Sequence, residues 1–422
     1  MSELNPGRPE KGLSDDALRD ATARAALGYF WDFAHPASGM ARERSAGSFG
    51  YDTSAIVTTG GTGFGIMALI VGAAREWLPR DAVADRIARI AAFLEGAEAH
   101  HGIFPHFMDG ATGATVPFTP TDDGGDLVET AFLMAGLLTA RQAFPDRDDI
   151  VDPVNRLYRA ADWAAHVRET DHGLMWHRSD HHPWTPKSLP IRGWNECLIT
   201  FVLAAGSPTH PIDPAIYHDS WARAEQFRNG HSYYGVRLPL GPELGGPLFM
   251  AQYSFLGLDP NDLTDEYADY GEQVRAHALV NRAHCIANPG GFEGYGPNCW
   301  GLTASDSTIG YSAHSPTNDI GVITPTAAVA SMPYVPAEST AALRHFVDDL
   351  GDRLWGPYGL VDAFEPGGDW IAPGTLAIDQ APIVVMLENY RSRLIWDLFM
   401  SAPEVQTGLV RLGFHSPRLP VA

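Results

Sequence analysis

Apolar residues recur at helical spacing from one end of the chain to the other. In "LSDDALRDATARAALGYFWDFA", Ser14 is placed to cap a helix, Asp15 and Asp16 fall in its first turn, and apolar positions follow through Phe33. The same period predicts helices over 63–77, 81–100, 126–144, 152–168, 195–206, 213–229, 247–256, 264–288, 324–331, 337–354 and 379–400. Period-two alternation is scarce. The strand-like pieces "GLMWHRS" and "GLVDAF" are short and fall in loops. Long linkers rich in Gly, Pro and aromatics separate the helices, and long ordered loops in a compact domain usually carry function. No low-complexity hinge divides the chain. The pattern therefore predicts an N-terminal extension over 1–15 and a single all-α domain over 16–422. Its expected architecture is a toroid of antiparallel helix pairs, with the long loops decorating one end.

Composition narrows the functional classes. Of the 422 residues, 45% are hydrophobic and 19% charged, which provides for a large core and argues against disorder. The net charge of −22 leaves no basic surplus for nucleic acid or an anionic membrane surface, whereas a neutral ligand such as a sugar meets no such barrier. Cys197, Cys285 and Cys299 have no metal-ligand spacing and are too few for a disulfide framework. Neither a signal-peptide core nor a run of roughly 20 apolar residues is present. The expected location is cytoplasmic, or periplasmic if a leader was removed.

Acidic residues cluster where greasy helices begin. In "TDDGGDLVETAFLMAGLL", Asp122, Asp123, Asp126 and Glu129 fall within eight residues. Asp126 and Glu129 have the spacing of a capping box, and acids in a first turn suit the helix dipole. One cap needs one or two acids, though, and four crowded together raise one another's pKa toward general-acid range. In "IRGWNECLITF", Asn195 is a candidate cap and Glu196 opens an apolar helix beside Trp194; a carboxyl in that setting suits proton donation. In "LAIDQAPIVVM", Asp379 sits at a third such mouth, with Pro382 favouring a plain cap. Asp362 and Glu365 lie in a loop able to reach a cleft.

Paired carboxyls with aromatic platforms are what glycoside hydrolysis requires. Trp31, Trp176, Trp184, Trp194, Trp300 and Trp370 stand in or beside the loops or at helix starts, with His106, His177, Tyr295 and Tyr311. Other chemistries are weaker. "HRSDHHPW" offers His177, Asp180, His181 and His182, but without the helical spacing of a metal pair. "GGTGFGI" lacks a phosphate-loop lysine and reads as a turn into a helix. "TDDGGD" is broken by glycines, which disfavours a metal-dependent prenyl or terpene enzyme. No metal or other cofactor is expected.

Taken together, "YFWDFAHPASGMARER", "TGGTGFGIMAL", "GGDLVETAFLMAGLLTARQAF", "IRGWNECLITFVLAAGSPTHP", "GGPLFMAQYSFLGLDP", "YGPNCWGLTASDSTIGY" and "LAIDQAPIVVMLENYRSRLIW" resemble the bacterial glycoamylase-like family, nearest to its endo-β-1,2-glucanases. The likeness runs from about residue 25 to the C-terminus. It implies an (α/α)6 barrel that hydrolyses β-1,2-glucan or its oligosaccharides by an inverting route, without metal; a monomer or small homo-oligomer is expected. By motif it makes Glu196 the general acid and places Asp126, Glu129 and Asp379 among the catalytic carboxylates. Asp122, Trp194, Trp176, His177, Trp300, Tyr311, Asp306 and Trp370 are the expected sugar contacts, with Asp306 a departure from the family pattern. The alternatives are an exo-acting, sophorose-releasing hydrolase or transglycosylase, or a non-catalytic oligosaccharide-binding protein.

Overall fold

A computed structural model describes residues 4–46, 53–120, 122–181, 184 and 188–420. The helices are α1 (Asp15–Asp32), α2 (Thr59–Ala74), α3 (Arg80–Gly96), α4 (Leu127–Ala143), α5 (Asp148–Ala160), α6 (Leu198–Gly206) and α7 (Tyr270–Ala287). After them come α8 (Pro325–Val329), α9 (Pro336–Arg344), α10 (Gly351–Leu354), α11 (Ala377–Ser392), α12 (Leu394–Met400) and α13 (Pro403–Arg411). Strands are two or three residues long and lie in the loops, three of them (Ile56–Thr58, Phe107–Asp109, Thr115–Val116) as one small antiparallel sheet and the others, among them Gly173–Leu174 and Gly359–Leu360, as antiparallel pairs.

Burial separates two sets of elements. In α2, 14 of 16 residues are buried, in α4 15 of 17, and in α6 all nine. In α3 only 6 of 17 are buried, and in α5 5 of 13. A helix apolar all round belongs inside, and one with a single apolar stripe belongs outside. The inner elements are thus α2, α4, α6, the 3₁₀ turns over Leu248–Leu256, α8 and α11, alternating along the chain with outer ones. This is the (α/α)6 toroid. The N-terminal ends of its inner elements open toward one cavity.

Local chemistry accounts for several element ends. Ser14 caps α1 by accepting from the Ala17 amide, and Asp269 caps α7 by accepting from Glu272. Asn288 closes α7 in the left-handed conformation (φ 46°), which Asn tolerates. The predicted 379–400 helix is two helices, broken at Arg393 (φ 64°). The 213–229 segment forms only a π turn over Tyr217–Ala222, and α13 had no prediction.

The "TGGTG" stretch is no turn; it is the first part of α2. Its glycines allow contact with α4 at backbone distance. A Cβ on Gly63 would lie 2.1 Å from the Phe132 carbonyl oxygen, and one on Gly136 2.1 Å from that of Gly63. No side chain fits there, so the helices meet backbone to backbone.

Candidate active site

A cavity of about 620 Å³ opens at the N-terminal ends of the inner elements. Glu43, Arg44, His106, Glu129, Glu196, Phe118, Trp176, Phe249, Tyr253 and Tyr311 are among the residues that line it. Of the sequence-predicted residues it therefore collects Glu129, Glu196, His106, Trp176 and Tyr311. Tyr311 is 43% exposed.

Glu196 does not begin a helix. Asn195 accepts from the Cys197 amide and from the Trp221 indole, both at 3.1 Å, and α6 starts only at Leu198. Glu196 thus lies in the tight connection ahead of α6, 9% exposed at the cavity wall. Burial pushes its carboxyl up to about 7, and the charges of Glu129 and Asp126 act in the same direction. Its protonated and ionised forms are therefore both populated near neutral pH.

Asp126 and Glu129 divide their tasks. Asp126 Oδ1 caps α4, accepting from the Val128 and Glu129 amides at 3.0 Å. Its Oδ2 accepts from His106 Nδ1 at 3.1 Å and lies 3.6 Å from His177 Nδ1. Asp126 is fully buried behind the cavity and does not line it. Burial alone would raise its pKa, but His177 and His106 outweigh burial and hold it low. Glu129 reaches across to α2, where the Gly60 amide donates to it at 2.7 Å, and it faces the cavity. Burial and Asp126 raise its pKa against the opposing His106. Burial opposes a charge on His106, but Glu129, Asp126 and Asp122 together lift it to about 9, so the imidazole is a cation. Asp122 lies 3.2 Å from His177 Nδ1, likewise behind the cavity.

The third acid mouth is different. Asp379 caps nothing: Leu376 holds that position with no side-chain bond. Instead Asp379 accepts from Tyr253 Oη at 3.3 Å and faces Asp362 carboxyl to carboxyl. Burial, followed by Asp362, drives the Asp379 pKa well up; burial, then Asp306, raises that of Asp362. Asp362 Oδ1 and Asp379 Oδ2 are buried oxygens with no other hydrogen-bond partner among the described residues, an arrangement that favours a proton on the pair. Asp379 is buried behind Leu376 and Ile378, and they, not it, meet the cavity.

Several expected sugar contacts lie elsewhere. Trp194 packs among Trp221, Phe227, Phe255 and Tyr270; Trp300 is fully buried in the core; Trp370 covers a small cluster of Val322, Ala363 and Ala372. Apolar packing claims all three rings. Asp306 is buried with both oxygens 3.0 Å from Arg44, whose Nε also bonds Glu43. Sequence reasoning passed over Glu43, Arg44, Phe118, Phe249 and Tyr253. Glu43, Arg44, Phe249 and Tyr253 stand in the quoted motifs, whereas Phe118 lies in none of them.

The histidine-rich loop does not converge on one centre. His177 goes to Asp122, His181 to Asp123 at 3.3 Å, and Asp180 to His100 at 3.5 Å; His182 lies outside the described residues. Metal-ligand-type atoms do lie within 4.8 Å of one another in two groups, His106–Asp122–Asp126 and His100–His101–Asp180. The first is accounted for by its own ion pairs. No helix among the described residues is long and apolar enough to cross a membrane.

Comparison with known proteins places this geometry. The Glycoamylase family model, described as "Putative glucoamylase", matches residues 188–403. A curated relative, the exo beta-1,2-glucooligosaccharide sophorohydrolase (non-reducing end) of Parabacteroides distasonis, is 41% identical over 95% of the chain. The chain spans 58% of that relative's length. A "putative glucoamylase" structure from Bacteroides uniformis is 52% identical, with a TM-score of 0.94 over 97% of this chain and 100% of the other. The endo-beta-1,2-glucanase of Chitinophaga pinensis, solved with sophorotriose and glucose, is 46% identical, with a TM-score of 0.93 over 97% and 100%.

Proposed function

The chain belongs to the glycoamylase-like family, and from that premise we propose that it hydrolyses β-1,2-glucosidic bonds in β-1,2-glucan or its oligosaccharides. The observation that carries this reading is Glu196, a carboxyl whose pKa burial raises to about 7, on the wall of the cavity that Glu129 also lines. In the proposed reaction Glu196 gives its proton to the leaving glycosidic oxygen as positive charge develops at the anomeric carbon. Glu129 and the His106 cation hold sugar hydroxyls or the attacking water. Asp126 acts at one remove, fixing the charge and orientation of His106. Asp379 contributes through Tyr253, which does line the cavity.

Product analysis on β-1,2-glucan beside starch, laminarin and cellulose tests the substrate. Reducing sugar from the first alone supports it; release only from another glucan overturns it. Glu196→Gln should lower kcat by about 10²- to 10⁴-fold. Wild-type activity should fall as pH rises through about 7, where Glu196 loses its proton. A glutamine variant with near-normal turnover removes Glu196 from the acid role, and so does a non-catalytic, merely sugar-binding chain.

The exo-acting reading has specific support from the name of the 41% identical relative, as the endo-acting reading has from that of the 46% identical structure. Early products from a long β-1,2-glucan separate them: sophorose alone marks exo action, a ladder marks endo action. Anomer-resolved NMR of those products distinguishes the inverting route from retention or transglycosylation.

A further inference from the structure

Phe118 has no task in that scheme, yet it lines the cavity with 54% of its surface exposed. It is not a loose loop side chain. The strand Thr115–Val116 just before it pairs with Phe107–Asp109. The Phe118 amide donates to the Asp122 carbonyl at 3.1 Å, and the Asp122 amide donates back to Thr119 at 3.0 Å. Its ring lies nearly parallel to the His106 imidazole, with centroids 4.6 Å apart at 12°, and meets Phe107 edge-on at 5.6 Å. A cationic imidazole against an aromatic face is an attractive pairing, so the inner face of Phe118 is held while the rest of the ring stays open to solvent.

A flat apolar face, fixed at a cavity rim, complements a ring that is itself flat and apolar on one side. The axial C–H face of a glucopyranose has that character, and its hydroxyls point outward to polar partners. We propose that Phe118 is a sugar-stacking platform at the rim of the cavity, where it binds the C–H face of one glucosyl unit of the substrate. This rests on the reading of the site as a β-1,2-glucan hydrolase. A phenyl ring has no polar atom with which to follow charge as it develops, so it binds ground state and transition state alike. Its loss should therefore appear in KM and leave kcat nearly untouched.

The test is steady-state kinetics of Phe118→Ala, Phe118→Leu, Phe118→Tyr and Phe118→Trp on purified β-1,2-glucooligosaccharides. Ala and Leu should raise KM about 3- to 10-fold with kcat within about twofold of wild type, whereas Tyr and Trp should stay near wild type. Leucine is the discriminating variant: it preserves apolar bulk over His106 but has no flat face. Wild-type KM for Leu, or a fall in kcat at constant KM, overturns the platform and leaves Phe118 as packing. If wild type is inactive on β-1,2 linkages but cleaves another glucan, the substrate reading fails instead. The same four variants on that glucan then decide the platform.

Discussion

The clusters at the mouths of α4 and α11 start from the same local material, carboxylates at the beginning of a greasy helix, and end in opposite protonation states. At α4, His106 and His177 come in from two other loops and hold Asp126 ionised. At α11, no histidine contacts Asp379 among the described residues. The neighbours are the carboxyls of Asp362 and, behind it, Asp306, and the pair retains a proton. A cation nearby, Arg44, is bound to Asp306 and Glu43. An acid at a helix mouth is thus not yet an electrostatic statement; the loops that fold over it decide its charge.

Substitutions can break this contrast. The largest effect belongs to Arg44→Met, which strips the buried carboxylate of Asp306 of the Nη1 donor that reaches both its oxygens. Stability should fall by about 3–5 kcal/mol, read as a lowered urea midpoint. An unchanged midpoint would mean that the Arg44–Asp306 pair does not hold the α11 cluster together.

Next is Asp126→Asn. Asparagine still caps α4, so the loss isolates the charge that faces His106. A decrease of roughly 1.5–3 kcal/mol is expected at neutral pH. The pH window follows from both partners. The contribution from His106, raised from 6.5, is full below 6.5 and lost as pH climbs through about 9. That from Asp126, lowered from 3.8, is present above 3.8 and lost as pH drops through its depressed folded value. The gap between variant and wild type should therefore narrow above pH 9. A constant gap at all pH values would reduce Asp126 to a cap.

The smallest effect is expected from Asp379→Asn. The amide resembles the protonated carboxyl already there, so below about pH 3.8, where the unfolded chain keeps that proton too, stability should change by no more than about 1 kcal/mol. The stabilisation from a raised carboxyl is complete below its ordinary 3.8 and lost as pH rises through the folded value, so the variant should be less sensitive to alkali than wild type. A loss as large as that of Asp126→Asn would show both clusters to be ionised and the contrast to be false. Turnover measured on the same samples separates a chemical role from a structural one.

What was legible in advance follows the reach of each interaction. The Ser14 cap, the helical stripes and the placement of Glu196 beside an apolar helix depend on neighbours a few residues away, and the period exposes them. The glycines of "TGGTG" were misread because a glycine that admits another helix looks, along the chain, like one that permits a turn. Asn195 looked like a cap because its second partner, the Trp221 indole, is remote in sequence. Trp194 and Trp300 stand in motifs that border the cavity, but nothing local tells a ring that faces sugar from one that faces Phe255. Arg44, Tyr253 and His106 reach the site only when the toroid closes.

The backbone seam between α2 and α4 has a consequence for how this protein can be altered. Side-chain interfaces absorb errors by changing rotamers, but Gly63 and Gly136 have nothing to rotate. Glu129 and its Gly60 donor flank that seam, so their spacing is inherited from main-chain geometry and tolerates no retuning by neighbours. Libraries aimed at new glycans should therefore hold the two glycines constant and diversify the rim around Phe118. There a change alters the mouth of the cavity without disturbing the backbone contact that sets Glu129.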